Sequence, residues 1–261
     1  MRNYRIELEF DGTEFHGWQR QPERRTVQAA VERAIAQTVG HPVDVMGCSR
    51  TDAGVHALGY VANFKADSEL PAERMRLAIS SRLPADVVVK GCEIALDEFD
   101  ACSNALAKIY RYTTVHGTIR PAVERAFVNY CPYALTFAPM KEGARHLVGK
   151  QDFAAFVNQL EPGKDTVRTI YAVEMGEEGN RITMTFVGEG FMYNMVRIIA
   201  GTLIEVGRGV REPTWVADTV AARDRRLAGP TAPAKGLTLT RVVYERGELE
   251  GLIGARGAGE R

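Results

Sequence analysis

The densest chemistry in the chain lies in Gly47-Cys48-Ser49-Arg50-Thr51-Asp52-Ala53-Gly54-Val55-His56-Ala57. A guanidinium and a carboxylate stand two residues apart, and in extended backbone such residues share a face. Burying a carboxylate works against its ionisation, and a nearby guanidinium works the other way. The pairing therefore suits an Asp52 that must stay charged in a partly dry pocket. The same residues also fit a turn in which Asp52 caps its own backbone and Arg50 is a surface charge.

Two further stretches combine aromatic rings with cations. In Lys108-Ile109-Tyr110-Arg111-Tyr112, strand alternation puts Lys108, Tyr110 and Tyr112 on one face and Arg111 on the other. This fits a surface strand with a half-buried tyrosine pair, or an aromatic platform on which an extruded base stacks beside a cation. Phe191-Met192-Tyr193-Asn194-Met195-Val196-Arg197 is expected to open a helix, with Arg197 off its apolar stripe. Arg197 fits a solvated charge, or a partner for a phosphate or for a carboxylate across a cleft. Trp18, in a loop beside Gln19 and Arg20, either plugs the core edge or stacks on nucleic acid.

The elements that must position these groups follow from periodicity. Tyr4, Ile6, Leu8 and Phe10 alternate with charged residues and predict a strand ended by Asp11-Gly12. Thr26 reads as the N-cap of a helix carrying Val27, Ala30, Val31, Ala34 and Ile35 and stopped by Gly40. Strands at Val43–Val45 and Tyr60–Phe64 flank Asp52. A helix with Pro71 in its first turn and a strand at Val87–Val89 complete a strand-helix-strand-strand-helix-strand order, the ferredoxin-like split pattern. The second half repeats the plan. Strands are expected at Ile109–Val115, Thr166–Glu174, Arg181–Val187 and Leu237–Tyr244, with a Gly-rich turn at Gly176–Asn180. Helices are expected at about Pro139–Val148, from Met192 to Val206, and from near Thr214. The expected fold class is α+β, two ferredoxin/RRM-like halves with antiparallel or mixed sheets meeting at a central cleft. The expected division is 1–104, 105–247 and a flexible tail at 248–261.

The 261 residues allow real cores, and the apolar (45%) and charged (25%) shares are those of an ordinary globular protein. Lys plus Arg equals Asp plus Glu at 33 each, which argues against a chain-wide basic coat while leaving room for a local basic groove. No apolar run reaches membrane-spanning length, and the N-terminus enters a strand pattern directly, so a cytoplasmic location is expected. Cys48, Cys92, Cys102 and Cys131 form no C-x-x-C pair and the five histidines are scattered, against a structural zinc or a disulfide framework.

Ser49-Arg50-Thr51-Asp52-Ala53-Gly54-Val55-His56-Ala57 resembles the signature of the TruA-type tRNA pseudouridine synthases. Further stretches resemble the same family: Phe10-Asp11-Gly12 through Gly17-Trp18-Gln19-Arg20-Gln21, Val27-Gln28 in the first helix, Lys108 to Tyr112, Phe191 to Arg197, and Ala234-Lys235-Gly236-Leu237-Thr238-Leu239. The likeness spans roughly residues 3 to 245, and separated motifs in the right order make a far more specific signal than one. Two positions depart: Ser49 stands where bacterial members mostly have Gly, and Cys102 where they often have an Arg able to reach RNA.

The resemblance implies conversion of uridine to pseudouridine in the anticodon arm of tRNA, at positions 38, 39 and 40, without a cofactor. It implies Asp52 as catalytic carboxylate, supported by Arg50, Tyr110 and Arg197. Substrate contacts would come from Tyr110, Lys108, Arg111, Arg20, Arg168 and Leu237, and a homodimer would grip the tRNA. The competing readings are a non-catalytic RNA-binding protein, against which the missing RNP1 string counts, and a nucleoside or glycoside hydrolase using Asp52.

Overall fold

The computed structural model describes residues 1–159 and 163–257. In chain order the elements are β1 (Arg2–Phe10), α1 (Val27–Val39), β2 (Val45–Gly47), β3 (His56–Ala66), α2 (Ala72–Ser80), β4 (Val87–Ala95), β5 (Ala107–His116), β6 (Asn129–Cys131), α3 (Phe137–Arg145), β7 (Gly149–Asp152), β8 (Val167–Glu178), β9 (Arg181–Gly188), α4 (Met195–Gly207), α5 (Trp215–Ala222), β10 (Leu237–Val243) and α6 (Arg246–Gly257). Among the described residues no helix is long and apolar enough to cross a membrane. The chain divides into two compact units, Met1–Leu106 with Thr238–Tyr244, and Ala107–Leu237 with Glu245–Arg261.

In the first unit the alternation of β1 buries Tyr4, Ile6, Leu8 and Phe10 and turns Glu7 outward. β1 pairs antiparallel with β3 (Leu8 opposite Tyr60) and with β4 (Tyr4 opposite Ile94). β2 pairs antiparallel with β3, Val45 opposite Phe64. The resulting order β4-β1-β3-β2 is the ferredoxin-like arrangement the sequence predicts. At the other end of β3, Thr238 and Leu239 of β10 add in parallel opposite His56 and Ala57, so the sheet is mixed.

β3 runs well beyond its expected Tyr60–Phe64 core, starting directly after the Asp52 loop. It is buried along nearly its whole length, so polar/apolar alternation could not mark its ends. α1 seats Val27, Val31, Ala34 and Ile35 in the core and stops at Gly40, whose φ of 82° suits glycine. Thr26 has the extended backbone of an N-cap, but its hydroxyl makes no capping bond.

In the second unit β5 pairs antiparallel with β9 (Tyr110 opposite Phe186), β9 with β8 (Met175 opposite Met184) and β8 with β7 (Lys150 opposite Thr169), while β6 runs parallel to β5. Gly176 lies inside the ladder opposite Thr183, so the β8–β9 hairpin turns later than expected, at Gly179-Asn180, where Gly179 has φ 58°. α3 begins and ends earlier than the expected 139–148, with Pro139 tolerated in its first turn. α4 buries Val196, Ile199, Leu203 and Val206, but Met192 precedes it. Asn194 in the left-handed conformation (φ 61°) interrupts the backbone there, so the helix starts at Met195. Residues 246–257, largely read as tail, are helical, and 258–261 lie outside the described residues.

Candidate active site

The Asp52 loop leaves β2 at Gly47 and re-enters the sheet at His56. Its two ends are held by the strand pairing of β2 and β3 and by Cys48 N–H donating to Val61 O at 2.9 Å. Inside the loop, Val55 N–H donates to Asp52 O at 3.2 Å, and Gly54 supplies the positive φ (79°) of a tight turn. The segment 12–18 lies along it. Trp18 N–H donates to Thr51 O and Gly54 N–H donates to Phe15 O, both at 3.2 Å.

This contact is backbone against backbone, and it needs glycine. A Cβ on Gly17 would stand 2.3 Å from the Thr51 carbonyl oxygen, and one on Gly12 would stand 2.0 Å from the Val55 oxygen. Gly47 is under the same constraint, because a Cβ there would meet Tyr60 Oη and the Trp18 ring. Trp18 is 2% exposed and stacks on Tyr60 at 4.1 Å between centroids, so it plugs the core and is not available to stack on a base. Tyr60 Oη donates to Ser49 O. Arg50 is exposed and Asp52 half-buried on this platform.

Below the loop, Gly12 N–H donates to His56 Nδ1 at 3.1 Å, and Asp11 Oδ1 stands 3.1 Å from the same nitrogen. Burial pushes the Asp11 carboxyl up, but hydrogen bonds from the Thr13 hydroxyl and N–H outweigh it and leave the group below its usual range. Arg20 extends from the same segment, 59% exposed, with its guanidinium 2.9 Å from Glu32 of α1.

In the second unit the aromatic pair lies on β5. Tyr112 is fully buried, its hydroxyl donating to Pro233 O at 3.0 Å, and burial pushes that phenol well above its usual range. Tyr110 is 6% exposed, with Phe191 edge-on to its ring at 5.4 Å. Lys108 is half-buried at the start of the strand, opposite Gly188, while Arg111 is exposed on the face away from the tyrosines. The structure therefore does not bring Arg111 to Tyr110. Arg168, just ahead of the β8 residues paired near Gly188, donates to Val167 O and Asp165 O.

Arg197 sits in the first turn of α4 and is more than a solvated charge. Its Nε donates to Ala232 O and one Nη to Asn194 Oδ1, each at 2.8 Å. Leu237 is buried, directly after the turn whose Gly236 lies against the Tyr112 ring. The sequence reading missed Gly12, Gly17 and Gly47 as positioning residues, and Asn194 as the partner of Arg197. The signals were present: glycines beside a strand end and before a Trp, and an Asn ahead of a helix. Among the described residues no group of His, Cys, Asp or Glu is placed to hold a metal ion.

A model of the tRNA pseudouridine synthase family matches residues 8–101 and 144–245. The chain is 41% identical over 244 residues to tRNA pseudouridine synthase A 2 of Clostridium perfringens, covering 94% of this chain and 100% of that one. It is 43% identical over 239 residues to tRNA pseudouridine synthase A of Geobacillus kaustophilus, covering 91% and 93% of the two chains. A solved Cbf5-Nop10-Gar1 complex matches at 12% identity and a TM-score of 0.37 over 91% of this chain and 58% of that one, a likeness too distant to add weight. With Asp52 on a loop fastened between two strands and full-length relatives at this identity, the chain belongs to the tRNA pseudouridine synthase family.

Proposed function

We propose that the chain isomerises uridine to pseudouridine in the anticodon stem-loop of tRNA, at positions 38, 39 and 40, with Asp52 as the catalytic carboxylate. The observation that supports this most directly is Asp52 half-buried on a loop clamped by the 12–18 segment, in a chain of this family.

The reaction detaches uracil at its N1–C1′ bond, turns it, and rejoins it through C5. The C5 proton leaves and N1 gains one, so the product has the mass of the substrate and no group is imported. The sugar carbon passes through an electron-poor, oxocarbenium-like stage, as in glycoside cleavage. An anionic carboxylate at C1′ is the minimum apparatus, acting by bonding to the sugar or by removing a sugar proton. Glycosidases use a second carboxylate because water must enter; here the uracil itself returns. Holding the freed base beside C1′ is an orientation effect of a class worth ~7–11 kcal/mol.

Arg50 holds Asp52 or the flanking RNA backbone, and Arg197 pairs with a phosphate of that backbone. Tyr110 stacks on the base and takes the C5 proton at the end. For that it needs an open ring face; its aromatic neighbour Phe191 stands at 89° to it, 5.4 Å between centroids. Extruding the uridine costs a few kcal/mol, and one aromatic stack recovers ~1–3 kcal/mol. Net affinity then comes from phosphate contacts, with Lys108, Arg111, Arg20 and Arg168 as candidates and Leu237 packing against the nucleoside. A neutral chain offers limited basic surface, and a homodimer would enlarge it. The protein would then act in the cytoplasm, with its substrate.

The test uses an unmodified tRNA transcript with uridines in the anticodon arm. Wild type and Asp52→Asn are compared by carbodiimide labelling and primer extension. Stops at those uridines with wild type alone are expected. Stops with both proteins would remove Asp52 from the chemistry. Free uracil would mark a hydrolase, and tRNA binding without stops a non-catalytic RNA-binding protein.

A further inference from the structure

The inward face of α1 is apolar except at two positions, Gln28 (9% exposed) and Glu32 (7%), which lie one turn apart among Val27, Val31 and Ile35. A carboxylate is expensive to bury unless every oxygen is partnered. Glu32 Oε1 accepts from Gln28 Nε2 at 3.0 Å and from Val45 N–H at 3.4 Å, and Oε2 accepts from Arg20 Nη1 at 2.9 Å. Gln28 completes the cluster: its Oε1 accepts from Arg20 N–H at 2.9 Å and Gln19 Nε2 at 3.0 Å, and its Nε2 also reaches Val45 O at 3.1 Å. Arg20 is thus held twice, by its backbone and by its guanidinium.

The two members of the ion pair are placed very differently. The Glu32 side chain is 9% exposed and that of Arg20 59%. An apolar side chain at a buried position is often as stabilising as an ion pair, or more so. Stability alone therefore does not account for a carboxylate here; the place it gives Arg20 does. Among the described residues the Arg20 guanidinium meets no partner other than Glu32, so most of its fork of donors is open. An ordered, exposed guanidinium with an open fork suits an oxyanion such as phosphate, and ordering it in advance lowers the entropic cost of binding.

We infer that Glu32 is a positioning residue for tRNA binding, holding Arg20 so that its remaining donors are set for a backbone phosphate. The inference rests on the reading of Arg20 as a substrate contact. It also gives Gln28 a role: its N–H donates to Trp18 O at 3.0 Å, tying the same cluster to the segment that lies along the Asp52 loop.

The test is a double-mutant cycle of wild type, Arg20→Ala, Glu32→Gln and the double variant, with Kd for an unmodified tRNA transcript measured across a salt series. Melting temperature and single-turnover pseudouridine formation at saturating protein are followed in parallel. Arg20→Ala is expected to weaken binding about tenfold and to flatten the salt slope by ~0.7–0.9, one phosphate contact. Glu32→Gln is expected to weaken binding about threefold while the saturated rate holds, and to add nothing in the Arg20→Ala background. A Glu32→Gln effect of full size without Arg20 would overturn the inference, as would tighter binding by Glu32→Gln or wild-type binding by Arg20→Ala. If Glu32→Gln does not fold, Glu32→Asp enters the same cycle. Coupled binding effects in a protein that forms no pseudouridine would sink the proposed activity and leave the positioning role standing.

Discussion

Asp52 and Arg197 are held by opposite means. Asp52 rides on an irregular loop fixed through main chain: Thr51 O to Trp18 N–H, Gly54 N–H to Phe15 O, Cys48 N–H to Val61 O. The segment that clamps it comes close because Gly12 and Gly17 lack side chains. Arg197 rides on regular helix and is fixed through its own side chain, which bonds Ala232 O and Asn194 Oδ1. A loop can hold a carboxylate rigidly when a second backbone segment supplies the bonds a helix would supply internally. A long side chain on a rigid element needs acceptors near its tip, because the element fixes only its Cα.

The contrast predicts different failures. Gly17→Ala should be the most damaging. A Cβ there meets the Thr51 oxygen at 2.3 Å, and a φ of 80° strains any L residue. The loop must shift, and a misplacement of about 1 Å can lower a rate by ~100-fold. A loss of that order in pseudouridine formation is expected, with tRNA Kd changed far less. Wild-type turnover by Gly17→Ala would mean the clamp does not set Asp52.

Asn194→Gly attacks the other mode. Glycine keeps the φ of 61° at no strain and removes only the Oδ1 acceptor of Arg197. A hydrogen bond to a charged group is worth ~1.5–3 kcal/mol. A rate loss of about tenfold is expected, smaller than for Gly17→Ala because the Ala232 bond remains. A stability change with no rate change would make Arg197 structural. Tyr60→Phe is milder still. It removes the hydroxyl that donates to Ser49 O but keeps the ring under Trp18, and should cost about 1 kcal/mol in chemical denaturation.

What was legible in the sequence follows the same division. The alternation of β1 and the helical spacing of α1 are local, and both elements stand as read. The position of Asp52 between two strands was legible because strand signals bracket it. Local pattern could not show what a residue touches far along the chain. Trp18 next to Gln19 and Arg20 looks as suitable for a base as for a core, and only the approach of Tyr60 settles it. Nothing near Gln28 and Glu32 in the sequence says that Arg20 and Val45 close over them. The α4 start was misplaced because Met192 fits the apolar spacing, and the left-handed Asn194 that breaks it leaves only a weak trace. The parallel pairing of Thr238 and Leu239 with β3 joins residues so distant in sequence that no window could contain both.

The smallest expected effect concerns acid, and it tests two carboxylate caps in the first unit. Hydrogen bonds from Ser103 N–H, then from its hydroxyl, hold the Asp100 carboxyl below its usual range against the opposing push of burial, with Cys102 N–H adding to them. Asp11 is likewise depressed, its hydrogen bonds from Thr13 outweighing burial. A carboxyl whose pKa is lower folded than unfolded contributes stability that is complete above the unfolded value, about 3.9, and is lost as pH falls through the folded value. The first unit should therefore weaken below about pH 4 and be indifferent to pH from there to neutrality on this account. Thermal melts of wild type, Asp11→Asn and Asp100→Asn between neutral pH and about pH 3 make the comparison. Each variant should start slightly less stable and lose less on acidification, because the group that takes up the proton is gone. If the variants fall in parallel with wild type, these caps are not where the proton acts, and the acid sensitivity lies in another carboxylate of the fold.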